Sequence, residues 1–91
     1  MDGVAFAIRR GDLVVVEING LKTGGVVTIR RVGGVAGDAV SNVEGNTNMI
    51  RVPNELFYLL GDSTDALDSR QLGLFSSTQI VGKVVSVIGH K

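Results

Sequence analysis

The chain has 91 residues, of which 44% are hydrophobic and 20% charged, and its nine basic and nine acidic groups cancel. By size it reads as a single domain, 1–91, and with no net charge nothing draws it generally to nucleic acid or to acidic lipid. The absence of Cys excludes disulfides, thiolate metal sites and thiol catalysis, and a lone His, His90, excludes a His-pair metal site and an internal Ser-His-Asp arrangement. No metal or other cofactor is expected. No run approaches the roughly 20 apolar residues of a membrane span, and charges interrupt the start where a signal peptide needs its apolar segment, so solubility is expected.

Thirteen Gly against one Pro, spread between Val- and Ile-rich runs, predict strands separated by turns and a mostly β fold. "DLVVVEI" (12–18) is the first strand, and Asn19 with Gly20 predicts a two-residue type I′ hairpin turn because both positions favour positive φ. The return strand is "VVTIRRV" (26–32). "GGVAGDAV" (33–40) is a Gly-rich bend running into a short strand, and "EGNTN" (44–48) carries turn residues. "MIRVP" (49–53) is a short strand ending at Pro53. "ELFYLLGD" (55–62) is a continuous apolar run that predicts a strand buried on both faces, with a single helical turn as the alternative. A polar segment follows. "STQIVGKVVSVIG" (77–89) is the closing strand, with Gly82 marking a bulge or a close backbone approach. No internal repeat is apparent.

Three stretches combine Gly and Asp: "RRGDLVVV" (9–16), "IRRVGGVAGDAV" (29–40) and "GDSTDALDSRQLGLFSSTQIVGKV" (61–84). Any one such pair is most simply a turn, with Gly supplying the positive φ and Asp bonding the backbone. In this order, with these flanks, the three resemble the later sequence boxes of the type I signal peptidase family. Gly61, Asp62, Asp68, Ser69, Arg70 and Gly73, followed by "IVGKV" (80–84), match the third box; Arg31, Gly34, Gly37 and Asp38 match the second, with Ala36 where the family has Pro; Gly11 and Asp12 match the first. The likeness covers the chain from about residue 9 to its end.

The resemblance implies an all-β fold, a small open barrel-like coiled sheet like the signal peptidase I catalytic core; residues 40–55 leave no room for the family's second domain. It also implies a Ser-Lys dyad that cleaves leader sequences from exported proteins at the extracytoplasmic face of the membrane. Substrates in that family lie extended in a groove and bind by strand addition. As implied partners the family brings extended segments of exported or pilin-like proteins and the membrane surface; nucleic acid is not among them.

The dyad is not where the resemblance puts it. Counting back from Asp12, the nucleophile position falls on Gly3, and no Ser occurs before Ser41. Alternatively, a frame in which Met1 is the family's signature Met places the Ser upstream of Met1, and the chain is then part of a divergent active peptidase. The Lys position, aligned on Gly37 and Asp38, holds Arg30. Lowering a lysine to a pKa near 8 costs roughly 3 kcal/mol, whereas an arginine requires at least about 6, so a guanidinium stays protonated and cannot accept the proton of a nucleophile. The Ser that orients the Lys in the family is replaced by Ala66, in a segment one residue shorter than usual. The expectation is therefore a catalytically inactive relative in which Asp68 and Arg70 form a structural ion pair. Adjacent strand residues face opposite sides, and the alignment puts Arg30, not Arg31, toward the former cleft. Arg9 and Arg10 are expected on a solvated face or in a local salt bridge, Met1, Phe6 and Ile8 in the core, or alternatively in the apolar surface that the resemblance would rest on the bilayer, and His90 at a frayed end.

Overall fold

The structure is a computed structural model and describes residues 7–18 and 25–85. Among the described residues seven strands, β1 (Leu13–Ile18), β2 (Val26–Gly34), β3 (Ala39–Val40), β4 (Ile50–Arg51), β5 (Leu56–Leu60), β6 (Phe75–Ser76) and β7 (Ile80–Val84), accompany one short α-helix, α1 (Ser69–Leu72). Five of them form an antiparallel sheet in the order β6-β5-β2-β1-β7, which curls into a half-barrel, and β3 and β4 form a separate two-stranded ladder.

The strands form where apolar residues alternate. In β1, Val14 and Val16 are fully buried, while Leu13, Val15 and Glu17 turn to the other face. Val14 and Val16 meet Val32, Leu59, Phe75 and Ile80 in one apolar cluster, and Val40, Val43, Val52 and Tyr58 form a second beneath the small ladder. The two clusters meet at β5, where consecutive residues Tyr58 and Leu59 are both buried, one in each cluster. The unbroken apolar run of 55–62 is thus a strand covered on both faces, and not a helical turn.

β1 and β2 are antiparallel neighbours, as a hairpin requires, but Ile18 pairs with Val26. A two-residue turn at Asn19 and Gly20 is therefore not what joins them; those two residues lie outside the described ones. β2 also runs two residues past its predicted end, to Gly34, through an irregularity that pairs Gly34 with Tyr58. A Cβ at Gly34 would lie 2.7 Å from Val40 Cγ1, so only glycine lets β2 pass this close to β3. The closing strand is shorter than its apolar pattern: 77–79 form a 3₁₀ turn, and β7 covers Ile80–Val84. Its bulge is present, with Val81 as the extra residue between Ile80, opposite Val16, and Gly82, opposite Val15.

Contrary to the reading of the sequence, one structural unit occurs twice. At residues 9–12, the Arg9 N–H donates to Asp12 Oδ2 (2.9 Å), the Asp12 N–H to the Arg9 carbonyl (3.1 Å), and Gly11 has φ +92°. At residues 35–38, the Val35 N–H donates to Asp38 Oδ2 (2.9 Å), the Asp38 N–H to the Val35 carbonyl (2.9 Å), and Gly37 has φ +91°. Each turn is stitched to a returning strand in the same way. The Gly11 N–H donates to the Val32 carbonyl and the Val32 N–H to the Asp12 carbonyl; Gly37, Val52 and Asp38 repeat this, all four bonds being 2.8 Å. The Arg before each of these valines then caps the turn glycine's carbonyl: Arg31 Nη1 to Gly11 O (3.1 Å) and Arg51 Nη1 to Gly37 O (2.6 Å). The repeat is hidden in sequence because only "GD", one Val and "RV" are shared.

Not every turn has the residue its backbone favours. Glu55 has φ +69°, a left-handed conformation costing an L-residue roughly 1–2 kcal/mol. Its side chain is exposed, so Glu55→Gly should raise the unfolding free energy by about 0.5–1 kcal/mol in urea titrations. A lower midpoint would show that the Glu55 side chain contributes more than its backbone strain costs.

Candidate functional site

The three Gly-Asp motifs converge at one end of the sheet. Arg10 Nε stands 3.5 Å from Asp38 Oδ2, joining the first box to the second, and Arg31 reaches from Gly11 O to within 3.8 Å of Asp62 Oδ1, joining the first to the third. Lys83 of β7 lies 3.2 Å from Asp12 Oδ2 and donates to the Ala7 carbonyl (2.8 Å). The Arg9 N–H and then the Lys83 ammonium hold the Asp12 carboxyl below the usual carboxylate range. Gly11, Asp12, Arg31, Gly37, Asp38 and Asp62 are thus one framework of turns and ties. Gly3, the nominal nucleophile position, lies outside the described residues, as do Met1, Phe6 and His90.

Arg30 faces the inner side of β2. Its ladder partner is the fully buried Val14, whereas Arg31 points outward, as the alternation of a strand requires. The Arg30 guanidinium is spread over three neutral oxygens: Nε donates to the Leu67 carbonyl (3.0 Å), and Nη1 to Thr28 Oγ1 (3.1 Å) and to the Ile29 carbonyl (2.7 Å). Arg30 and Ala66 meet at Gly61: a Cβ added there would overlap the Ala66 methyl and lie 3.4 Å from Arg30 Nε. The resemblance noted in the sequence would put a lysine and its orienting serine at these two positions; a guanidinium and a methyl stand there, and neither can take up a proton.

The polar stretch after Gly61 is organised by one carboxylate. Asp68 is fully buried, accepts from the Gly61 N–H (2.7 Å) and the Arg70 N–H (2.9 Å), and takes Arg70 Nε on both oxygens (2.9 and 3.1 Å) as well as Nη2. It is also the N-cap of α1, with Gln71 Oε1 accepting from its own N–H (3.0 Å) in a capping box, and Gly73 at φ +88° ends the helix. Burial alone would push the Asp68 carboxyl up; the Arg70 guanidinium and the two N–H donors outweigh it and hold the group below the usual carboxylate range. Arg70 Nη2 reaches on to the Ser63 carbonyl (3.0 Å), so the pair closes the 61–68 loop as well as capping the helix.

Ser69, also fully buried, accepts from the Leu59 N–H at 2.8 Å, so its hydroxyl is tied to β5. Sequence reasoning placed Ser69 in the motif without this role, and nothing local signals it because its partner lies ten residues away. The capping box, by contrast, was written in the spacing of Asp68 and Gln71.

Beside Arg30 the sheet is incomplete. β5 pairs with β2 only from Arg31 onward, so among the described residues the stretch 26–30 has β1 on one side and no strand on the other. Val26, Val27 and Ile29 are correspondingly 54, 62 and 51% exposed. Open strand edges present N–H and C=O groups that an extended chain can pair with. No protein-family model and no curated protein matches the chain.

Proposed function

We propose that this chain is a signal-peptidase-like β domain, with the coiled sheet of that family's catalytic core, that holds extended segments of exported or pilin-like proteins at the extracytoplasmic face of the membrane without cutting them. The observation that carries this reading is the placement of Arg30, the residue the resemblance aligns with the general base: its guanidinium lies against Gly61, Ala66 and the Leu67 carbonyl, next to the open edge of β2. Peptide-bond cleavage by a Ser-Lys dyad needs an amine that can lose its proton at working pH, and a guanidinium cannot. Lys83, the lysine among the described residues, is held by Asp12 and the Ala7 carbonyl. What remains usable is the edge, where main-chain bonds supply affinity and side-chain fit supplies selectivity. Among the described residues no helix is long and apolar enough to cross a membrane.

Incubated with an exported precursor carrying an Ala-x-Ala cleavage site, the chain should yield no product on a gel, and Arg30→Lys alone should yield none either, because Ala66 leaves the new amine unoriented. Product from the unmodified chain would remove the reading. Extended peptides with small residues at alternate positions should bind at micromolar or weaker affinity and shift the amide resonances of Val27 and Ile29.

A further inference from the structure

We propose that the open edge of β2 takes an extended peptide ending in a free carboxylate, and that Arg30 leaves the Ile29 carbonyl to bind that carboxylate. This rests on the strand-addition reading above and names the class of ligand.

Three observations lead there. The first is ladder geometry. Val32 donates to Asp12 O and accepts from Gly11 N, so the alternation of an antiparallel pair turns the main-chain groups of Val26, Thr28 and Arg30 toward β1 and those of Val27 and Ile29 away from it. Val27 and Ile29 therefore carry the groups available to an incoming strand, and one of these, the Ile29 carbonyl, is covered by Arg30 Nη1.

The second is charge. Arg10, Arg31, Arg70 and Lys83 all stand within 4.0 Å of a carboxylate; among the described residues Arg30 has only neutral acceptors, as does Arg51, whose guanidinium is taken up by the turn at Gly37, away from the open edge. A carboxylate is a better partner for a guanidinium than a carbonyl, because both are charged and the two N–H vectors of the fork match its two oxygens.

The third is length. The open column ends where Leu60 of β5 pairs with Arg31, so a strand lying along Val27 and Ile29 must stop or turn away at Arg30. A peptide running parallel to β2 would place its C-terminus there, beside the guanidinium. One running antiparallel would bring its amino end to the same place and be repelled. Arg30 thereby selects both orientation and chain end: on binding, the freed Ile29 carbonyl accepts a peptide N–H, and Arg30 exchanges a neutral oxygen for a charged one.

The test compares N-acetyl Ser-Ala-Val-Ala-Ser-Ala as free acid and as C-terminal amide, each titrated into the ¹⁵N-labelled full chain. The free acid should bind about tenfold more tightly, the gap narrowing toward about 1 M salt. Arg30→Gln should lose the gap while keeping the weaker amide binding. Equal affinities on the unmodified chain, with Val27 and Ile29 amides shifting, would overturn this inference and leave strand addition standing. If neither peptide moves those amides, or if they respond to protein concentration instead, strand addition fails and this inference with it.

Discussion

Asp68→Ala should lower the unfolding free energy by about 3–5 kcal/mol, which is most of the margin available to a domain of this size. The substitution strands the Arg70 guanidinium, removes the N-cap of α1 and leaves the Gly61 N–H without its acceptor, so the loop carrying Ala66 and Leu67 loosens together with the helix. Because Arg30 Nε is tied to the Leu67 carbonyl, the edge of β2 should feel the change as well. Urea denaturation of the variant gives the number; a loss below about 1 kcal/mol would mean that the ion pair behaves like an exposed one. Acid adds a second readout. The folded-state Asp68 carboxyl lies below its unfolded value, so its stabilisation is fully present above the unfolded pKa of about 3.9 and is lost as pH falls through the depressed folded value. Asp68→Asn should therefore start less stable near neutrality and lose less on acidification than the unmodified chain.

Leu59→Ala should cost about 2–5 kcal/mol, since the side chain is fully buried and the cavity would open where the first cluster abuts the second. Its backbone N–H is held by the Ser69 hydroxyl and the next residue, Leu60, pairs with Arg31 of β2, so the strand cannot easily collapse into the void. A control is Leu67→Ala: Leu67 is 54% exposed, and its loss should stay within about 0.5 kcal/mol. Comparable effects for the two would mean that Leu59 is not at the centre of the packing.

Much of the sheet was legible because strands announce themselves by alternation and by Gly-rich breaks: β1, β2 and β5 fall close to where Val, Ile and Leu periodicity puts them. Two kinds of feature were not. Phe75 and Ser76 of β6 are too short to alternate, and they become a strand only because Phe57 and Leu56 lie opposite. The join between β1 and β2 was misjudged because Asn19 and Gly20 carry turn chemistry, whereas pairing is set by the burial of Val14 and Val16. At the candidate site, the resemblance grouped Arg30 and Ala66 as expected neighbours, and the fold brings both side chains up against Gly61. What it could not disclose was that β5 ends at Leu60, opposite Arg31, and leaves 26–30 uncovered, since the length of a neighbouring strand depends on where the 61–68 loop leaves the sheet.

The matched turns at Gly11 and Gly37 behave like two identical buckles on one strap. Each holds its own pair of strands without help from the other, apart from the Arg10 and Asp38 contact, so each can come undone separately. Amide exchange should accordingly release Gly37 and Val52 as one group and Gly11 and Val32 as another, the smaller ladder opening first because it has two paired positions to the six between β1 and β2.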